Sequence, residues 1–196
     1  MKRVGLFSGT FDPVHKGHIE ACVVAKAACQ LDEVLLMIEQ KPRRKRNVAG
    51  YEQRKAMLEL AISKYPSLKV VDRKEPNITT KNTLAYLNDT YPEALYSYIV
   101  GDDLLGYMLE WPQVELLFEN MELCVFLRDN KNPQQAEQVI RKIQGTYKQA
   151  KITLLPAVWS PLSSSSVKQE LHASQASYGL DTKVLDYIKE HGLYAK

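Results

Sequence analysis

"RVGLFSGTFDPVHKGHIEACVVAKAACQLDEVLLMIE", residues 3–39, changes its hydrophobic period twice. "RVGLFS" (3–8) is a short apolar run of the kind that forms a buried strand. In "HIEACVVAKAACQ" (18–30) the apolar residues Ile19, Cys22, Val23 and Ala27 recur with a helical period. "EVLLMIE" (33–39) is apolar again and reads as a second strand. A strand, a helix and a strand in close succession form a βαβ unit, whose two strands lie parallel.

The same alternation continues outward. "YEQRKAMLELAISKY" (51–65) reads as a helix with Met57, Leu58, Ala61 and Ile62 on one face, and "LKVVD" (68–72) as a third strand. "TKNTLAYLNDTY" (80–91) is a helix stopped near Pro92, followed by a fourth strand, "LYSYIVG" (95–101). "ELCVFLR" (122–128) and "KITLLP" (151–156) are strands five and six, with a helix over 133–147 between them. "SPLSSSS" (160–166) is the only low-complexity piece, and it leads into the helical pattern "VKQELHA". "TKVLDYIKEHGLY" (182–194) reads as a closing helix capped near Gly192. The expected class is α/β: a Rossmann-like, doubly wound parallel sheet with helices on both faces. It is expected to form one domain over residues 1–196, with a helical C-terminal segment from about 160.

Composition narrows the function classes. With 45% hydrophobic and 25% charged residues the chain is of the ordinary soluble globular kind. A net charge of +3 is too small to argue for nucleic acid or membrane as a partner. No run approaches the ~20 apolar residues of a membrane helix, and "VGLF" after Lys2 and Arg3 is too short for a signal sequence. Cys22, Cys29 and Cys124 form no CxxC pair and no Cys/His metal spacing, which suits a reducing, cytoplasmic setting.

In a doubly wound sheet, ligands collect outside the carboxyl ends of the strands. Residues 9–18 lie there, at the turn from strand one into the first helix. Gly9 permits close backbone approach, and Gly17 and His18 open the helix, where free N–H groups and the dipole favour an anion. His15 and His18 add two imidazole donors without a permanent charge. The pattern fits a phosphate site; a tight turn merely capped by its histidines is the alternative.

"GTFDPVHKGH" (9–18) resembles the Gly-x-Phe-x-Pro-x-His-x-Gly-His motif of the nucleotidylyltransferase superfamily. Neither GxGxxG nor a Walker A loop is present. "NTLAYLNDTYPEALYSYIVGDDLLGYMLEWPQ" (82–113) is similar to the central segment of bacterial nicotinate-nucleotide adenylyltransferases, with Gly101, Asp103 and Trp111 at the family's Gly, Asp and Trp. "YEQRKAMLELAI" matches the family's Gln-Arg-x-x-Met-Leu helix, and "VLDYIKEHGLY" is similar to its C-terminal end. The resemblance covers residues 3 to 194 and implies adenylyl transfer from ATP to a pyridine mononucleotide, with pyrophosphate leaving.

It also implies roles. His15 and His18 would hold the triphosphate, and Gly9, Thr10 and Phe11 would line the nucleotide site. Asp103 would accept hydrogen bonds from a ribose; a helix N-cap is its other reading. Trp111 would stack on the pyridine ring, with a place in the core as its alternative, and the backbone near Thr83 would recognise the ring's carboxylate or amide. Where the family has Ile-Ser-Ser-Thr-x-Ile-Arg, this chain has "LSSSSVK" (162–168). Ser163, Ser164 and Ser165 keep hydroxyl donors for ATP, while Lys168 keeps the arginine's charge without its bidentate fork. "KPRRKR" (41–46) stands where the family has Pro-Pro-His-Lys, which assigns Arg44 and Lys45 to the mononucleotide unless the run is a solvated loop. Of the family's Arg-Pro-Gly only Arg128 is retained, again for the mononucleotide. No carboxylate cluster is visible for a metal, so Mg2+ is expected to arrive with ATP.

Nicotinate-mononucleotide adenylyl transfer is the leading expectation. A nicotinamide-mononucleotide or pantetheine-phosphate adenylyltransferase and a non-catalytic nucleotide-binding homologue are the alternatives. The pantetheine family has Thr at the position of His15 and shorter chains. Oligomeric state stays open.

Overall fold

Strand β2 (Glu33–Ile38) is buried at every residue, as a central strand covered on both faces must be. Around it the computed structural model describes residues 1–42, 45, 47–72, 78–127, 133–155, 162–173 and 178–195. The other strands are β1 (Arg3–Gly9), β3 (Leu68–Val71), β4 (Leu95–Gly101), β5 (Met121–Phe126) and β6 (Ile152–Leu154). All pair in parallel in the order β3-β2-β1-β4-β5-β6, so the six expected strands are present in the expected class of sheet. The winding reverses between β1 and β4, and that is where a crevice opens in such sheets.

Alternation along the strands fills two layers. Val4 and Leu6 of β1, Leu35 and Met37 of β2 and Tyr98 of β4 enter one core. Phe7, Leu36 and Ile99 enter the other. Helices α1 (Lys16–Ala28), α2 (Tyr51–Ile62), α7 (Ser164–His172) and α8 (Thr182–Glu190) cover the Phe7 layer through Cys22, Met57, Val167 and Ile188. Helices α3 (Thr80–Thr90), α4 (Asp102–Met108), α5 (Val114–Asn120) and α6 (Pro133–Thr146) cover the Leu6 layer through Leu87, Leu105, Phe118 and Ile143. Each fully buried Leu, Ile, Phe or Met contributes about 1.5–3 kcal/mol.

Several boundaries differ from the sequence reading. Helix α1 begins at Lys16, not His18, with His15 as its N-cap. Helix α4 entered the sequence reading only through the alternative of Asp103 as a cap, and α5 did not enter it; at seven residues each they hold barely two turns and display no period. Helix α8 ends at Glu190, and Gly192 turns the chain with φ 58°, a left-handed conformation that glycine adopts without strain. The N–H of Gly192 donates to Lys189 and that of Leu193 to Ile188, the paired bonds of a Schellman turn. Among the described residues no helix is long and apolar enough to cross a membrane.

At the amino end of the sheet the buried carboxylate of Glu33 receives Lys2 Nζ at 3.0 Å and the ammonium of Lys69. Burial pushes the Glu33 pKa up, but hydrogen bonds from Lys69, Tyr91 and Lys2 outweigh it and hold the group at about 2. A carboxylate whose folded pKa is depressed contributes stability above its unfolded value and loses it as pH falls toward the folded one. Between pH 6 and pH 3 the parent should therefore lose on the order of 2 kcal/mol relative to Glu33→Gln. Urea denaturation of both proteins at the two pH values measures this; a constant difference would show that Glu33 titrates normally.

Candidate active site

The loop from β1 into α1 is shaped by an aromatic packed under a glycine. Phe11 has φ 50°, a left-handed backbone uncommon for a bulky residue, and its ring packs beneath Gly9. A Cβ at Gly9 would lie 3.2 Å from Phe11 Cζ, so the space that glycine frees is taken from this side by the chain's own ring. Phe11 in turn meets the His18 ring edge-on, with centroids 5.1 Å apart.

His15 and His18 are stacked, with centroids 3.6 Å apart and planes 31° apart. The His15 N–H donates to His18 Nδ1 at 3.1 Å. The hydrogen-bond pattern therefore assigns Nδ1 of His18 as acceptor and leaves Nε2 bearing the hydrogen in the neutral ring. His15 is buried and His18 half-buried, so His18 is the more accessible imidazole. The helix N–H groups are less open than the sequence suggested. Lys16 N–H donates to Gly179 O at 2.8 Å and His18 N–H to His15 O at 2.9 Å.

Helix α7 brings the serine run to the same loop. Ser163 is the N-cap: its hydroxyl accepts from Ser166 N–H, and its own N–H donates to Ser166 Oγ. The residue expected to donate to ATP thus also caps the helix. Ser164 donates to Pro13 O at 3.0 Å, tying α7 to the β1–α1 loop. Ser165 is exposed. Asp12, Lys45, Ser164, Ser165 and Lys168 line one cleft at this helix N-terminus. Lys45, expected with the mononucleotide, therefore stands among the residues expected to meet ATP. The Lys168 ammonium pairs with Asp12 Oδ2 and lies 5.1 Å from the centre of the Tyr194 ring.

Across the crest of the sheet, Tyr98 on β4 and Ser8 on β1 share a hydrogen bond between their hydroxyls. Trp111 packs edge-on against Tyr98, with centroids 6.3 Å apart, and is only half-buried. It packs at the margin of the Leu6 core. Asp103 lies in the first turn of α4, whose N-cap is Gly101, so the reading of Asp103 as the cap is not met. Thr83, in the first turn of α3, is buried, and its Oγ1 has no hydrogen-bond partner among the described residues. A buried hydroxyl without a partner is a feature that a bound ligand would explain. Arg44 and Arg128 lie outside the described residues.

Residues 6–170 match the family model described as cytidylyltransferase-like. A probable nicotinate-nucleotide adenylyltransferase of Lachnoclostridium phytofermentans is 32% identical over 200 residues, covering 99% of this chain and 100% of that relative. This chain belongs to the nicotinate-nucleotide adenylyltransferase family. A second member, from Bordetella avium, is 32% identical over 99% of this chain and 98% of its own length. The fold is that of a nicotinic acid mononucleotide adenylyltransferase of Plasmodium falciparum solved with NaAD: TM-score 0.80, 17% identity, 99% of this chain and 98% of that one. Enzymes of this family generally use a divalent metal with ATP. Among the described residues no three His, Cys, Asp or Glu side chains gather to hold one.

Three residues around the β1–α1 loop received no role from the sequence: Asp12, Arg54 and Tyr194, although all three stand in strings that carry the resemblance. Arg54 is 1% exposed. Its guanidinium donates to the carbonyls of Thr10 (2.8 Å), Glu39 (2.9 Å), Ala49 (2.9 Å) and Gln40 (3.3 Å). One signal was available, since Arg54 lies on the same helix face as Met57, Leu58 and Ala61. Arg54→Met should cost about 3–5 kcal/mol, because four carbonyls would lose the donors that the buried guanidinium gives them. Chemical denaturation of parent and variant measures the loss; a cost below ~1 kcal/mol would mean that water replaces the guanidinium.

Proposed function

We propose that this chain transfers the adenylyl group of ATP to nicotinate mononucleotide, giving deamido-NAD and pyrophosphate, a step in NAD synthesis. The observation that carries the reading is identity at 32% running from end to end of relatives so named, rather than over the phosphate loop alone. Residues at the mouth of the crevice give it a mechanism.

A phosphate oxygen of the mononucleotide attacks the α-phosphorus of ATP. The bond from that phosphorus to the bridging oxygen breaks, and pyrophosphate keeps the electron pair. The attacking phosphate already carries its charge, so no base is needed. Catalysis is left to alignment and to charge stabilisation on the leaving group. His18 supports the second role, because a neutral ring whose Nδ1 accepts from His15 N–H carries its hydrogen on Nε2. His15 stacks behind it and fixes the ring. The backbone of Gly9, Thr10 and Phe11 lines the nucleotide site.

Ser164, Ser165, Lys45 and Lys168 meet the triphosphate at the N-terminus of α7. An ammonium has three donors, so Lys168 can stay on Asp12 and still reach a phosphate oxygen. Mg2+ enters as part of the ATP substrate. Asp103 accepts from a ribose, Trp111 stacks on the pyridine ring, and the first turn of α3 around Thr83 receives its carboxylate; Arg44 and Arg128 add charge for the mononucleotide. Cys22, Cys29 and Cys124 are free thiols, which supports a cytoplasmic setting.

Pyrophosphate release with ATP and each of nicotinate mononucleotide, nicotinamide mononucleotide and phosphopantetheine tests the substrate. Nicotinate mononucleotide should give the highest kcat/KM. A higher value for either rival would reassign the acceptor, and no release with any of the three would leave a binding protein. His18→Ala should lower kcat by about 10²–10³, the usual loss of a preorganised donor, with the circular dichroism spectrum unchanged. A variant turning over within a few-fold of the parent would take His18 out of the mechanism.

A further inference from the structure

Asp12 is 1% exposed, so its carboxylate persists only with its oxygens satisfied. Oδ1 accepts from the Tyr194 hydroxyl at 2.6 Å and from Ala49 N–H at 3.1 Å. Oδ2 receives the Lys168 ammonium. The same ammonium lies over the Tyr194 ring, a cation–π position that adds a second hold on Lys168. Tyr194 therefore meets both members of the pair, Asp12 through its hydroxyl and Lys168 through its face.

The route of the chain explains how a residue so far along the sequence arrives there. The left-handed turn at Gly192 ends α8 and reverses the backbone, and Tyr194 itself has φ 57°. Few forces hold a bulky residue in that conformation except contacts made by its side chain. Burial and the Asp12 carboxylate push the Tyr194 hydroxyl pKa above its usual range, so it stays a donor.

We infer that Tyr194 is a positioning residue for ATP: it fixes Asp12, and through Asp12 and its own ring it aims the Lys168 ammonium into the cleft formed with Ser164, Ser165 and Lys45. The inference rests on the reading that Lys168 holds the ATP phosphates. It accounts for the lysine that stands where the family has arginine. A guanidinium carries its own fork, whereas an ammonium on a flexible stem gains direction from fixed partners on two sides. When Lys168 leans toward phosphate, the Tyr194 hydroxyl and Ala49 N–H remain on Asp12, so its charge is never left bare.

Tyr194→Phe keeps the ring and removes only the hydroxyl. ATP affinity is read by calorimetry without a mononucleotide, at a temperature where circular dichroism shows each variant folded. Tyr194→Phe should raise the Kd for ATP roughly five- to tenfold. In turnover it should raise the KM of ATP and leave that of the mononucleotide unchanged, a split that a general loosening of the fold would not produce. In a Lys168→Ala background the same substitution should have no further effect on ATP, since no ammonium is left to aim. Parent-like ATP affinity of Tyr194→Phe beside a weakened Lys168→Ala would overturn the role of Tyr194 alone. An equal loss in both backgrounds would do the same. Parent-like affinity of Lys168→Ala would remove the phosphate role of Lys168 and this inference with it.

Discussion

One buried guanidinium joins the ends of the elements that form the crevice. Arg54, on α2, reaches Thr10 just past β1, Glu39 and Gln40 just past β2, and Ala49 ahead of its own helix. Irregular backbone in a buried place must find donors for its carbonyls, and here one side chain supplies four of them. Burial draws the Arg54 pKa down against the pull of Asp12, yet a guanidinium stays charged at any working pH. A loop pinned in this way holds its ligand donors in place before substrate arrives, which is the condition for electrostatic catalysis without reorganisation.

From that anchor a chain of contacts runs outward. Arg54 fixes the carbonyl of Thr10, and the loop beyond it carries Phe11 under His18 and Asp12 under Lys168. Ser164 binds the same loop from α7 through Pro13, and Lys16 binds residues 178 and 179 through its side chain and its N–H. Segments from both ends of the sequence thus converge on residues 10–16. The recognisable motif is the visible part of this assembly; its geometry is set by residues outside it.

That explains what the sequence could and could not disclose. The strand and helix alternation was legible because the hydrophobic period changes sharply at each boundary, as in residues 3–39. The start of α1 was read two residues late because its N-cap is His15, outside the Ser, Thr, Asp and Asn that mark most helix starts. The histidines were found because they belong to a local string. Asp12 and Tyr194 were missed because their contact spans 182 residues, and nothing local encodes it. Ser163 has a second task that the sequence did not disclose, since its hydroxyl caps α7 by accepting from Ser166 N–H.

The two groups of proposed substrate residues are carried on opposite faces of the sheet. Helices α1 and α7, with His15, His18 and Lys168, pack in the layer of Phe7 and Val167. Helix α3 and Trp111, on the mononucleotide side, pack in the layer of Leu87 and Tyr98. Between them end β1 and β4, the neighbours at which the winding reverses. The proposed assignments would thus place the two substrates on different layers of one sheet, and the pairing of β1 with β4 is the hinge of register between them.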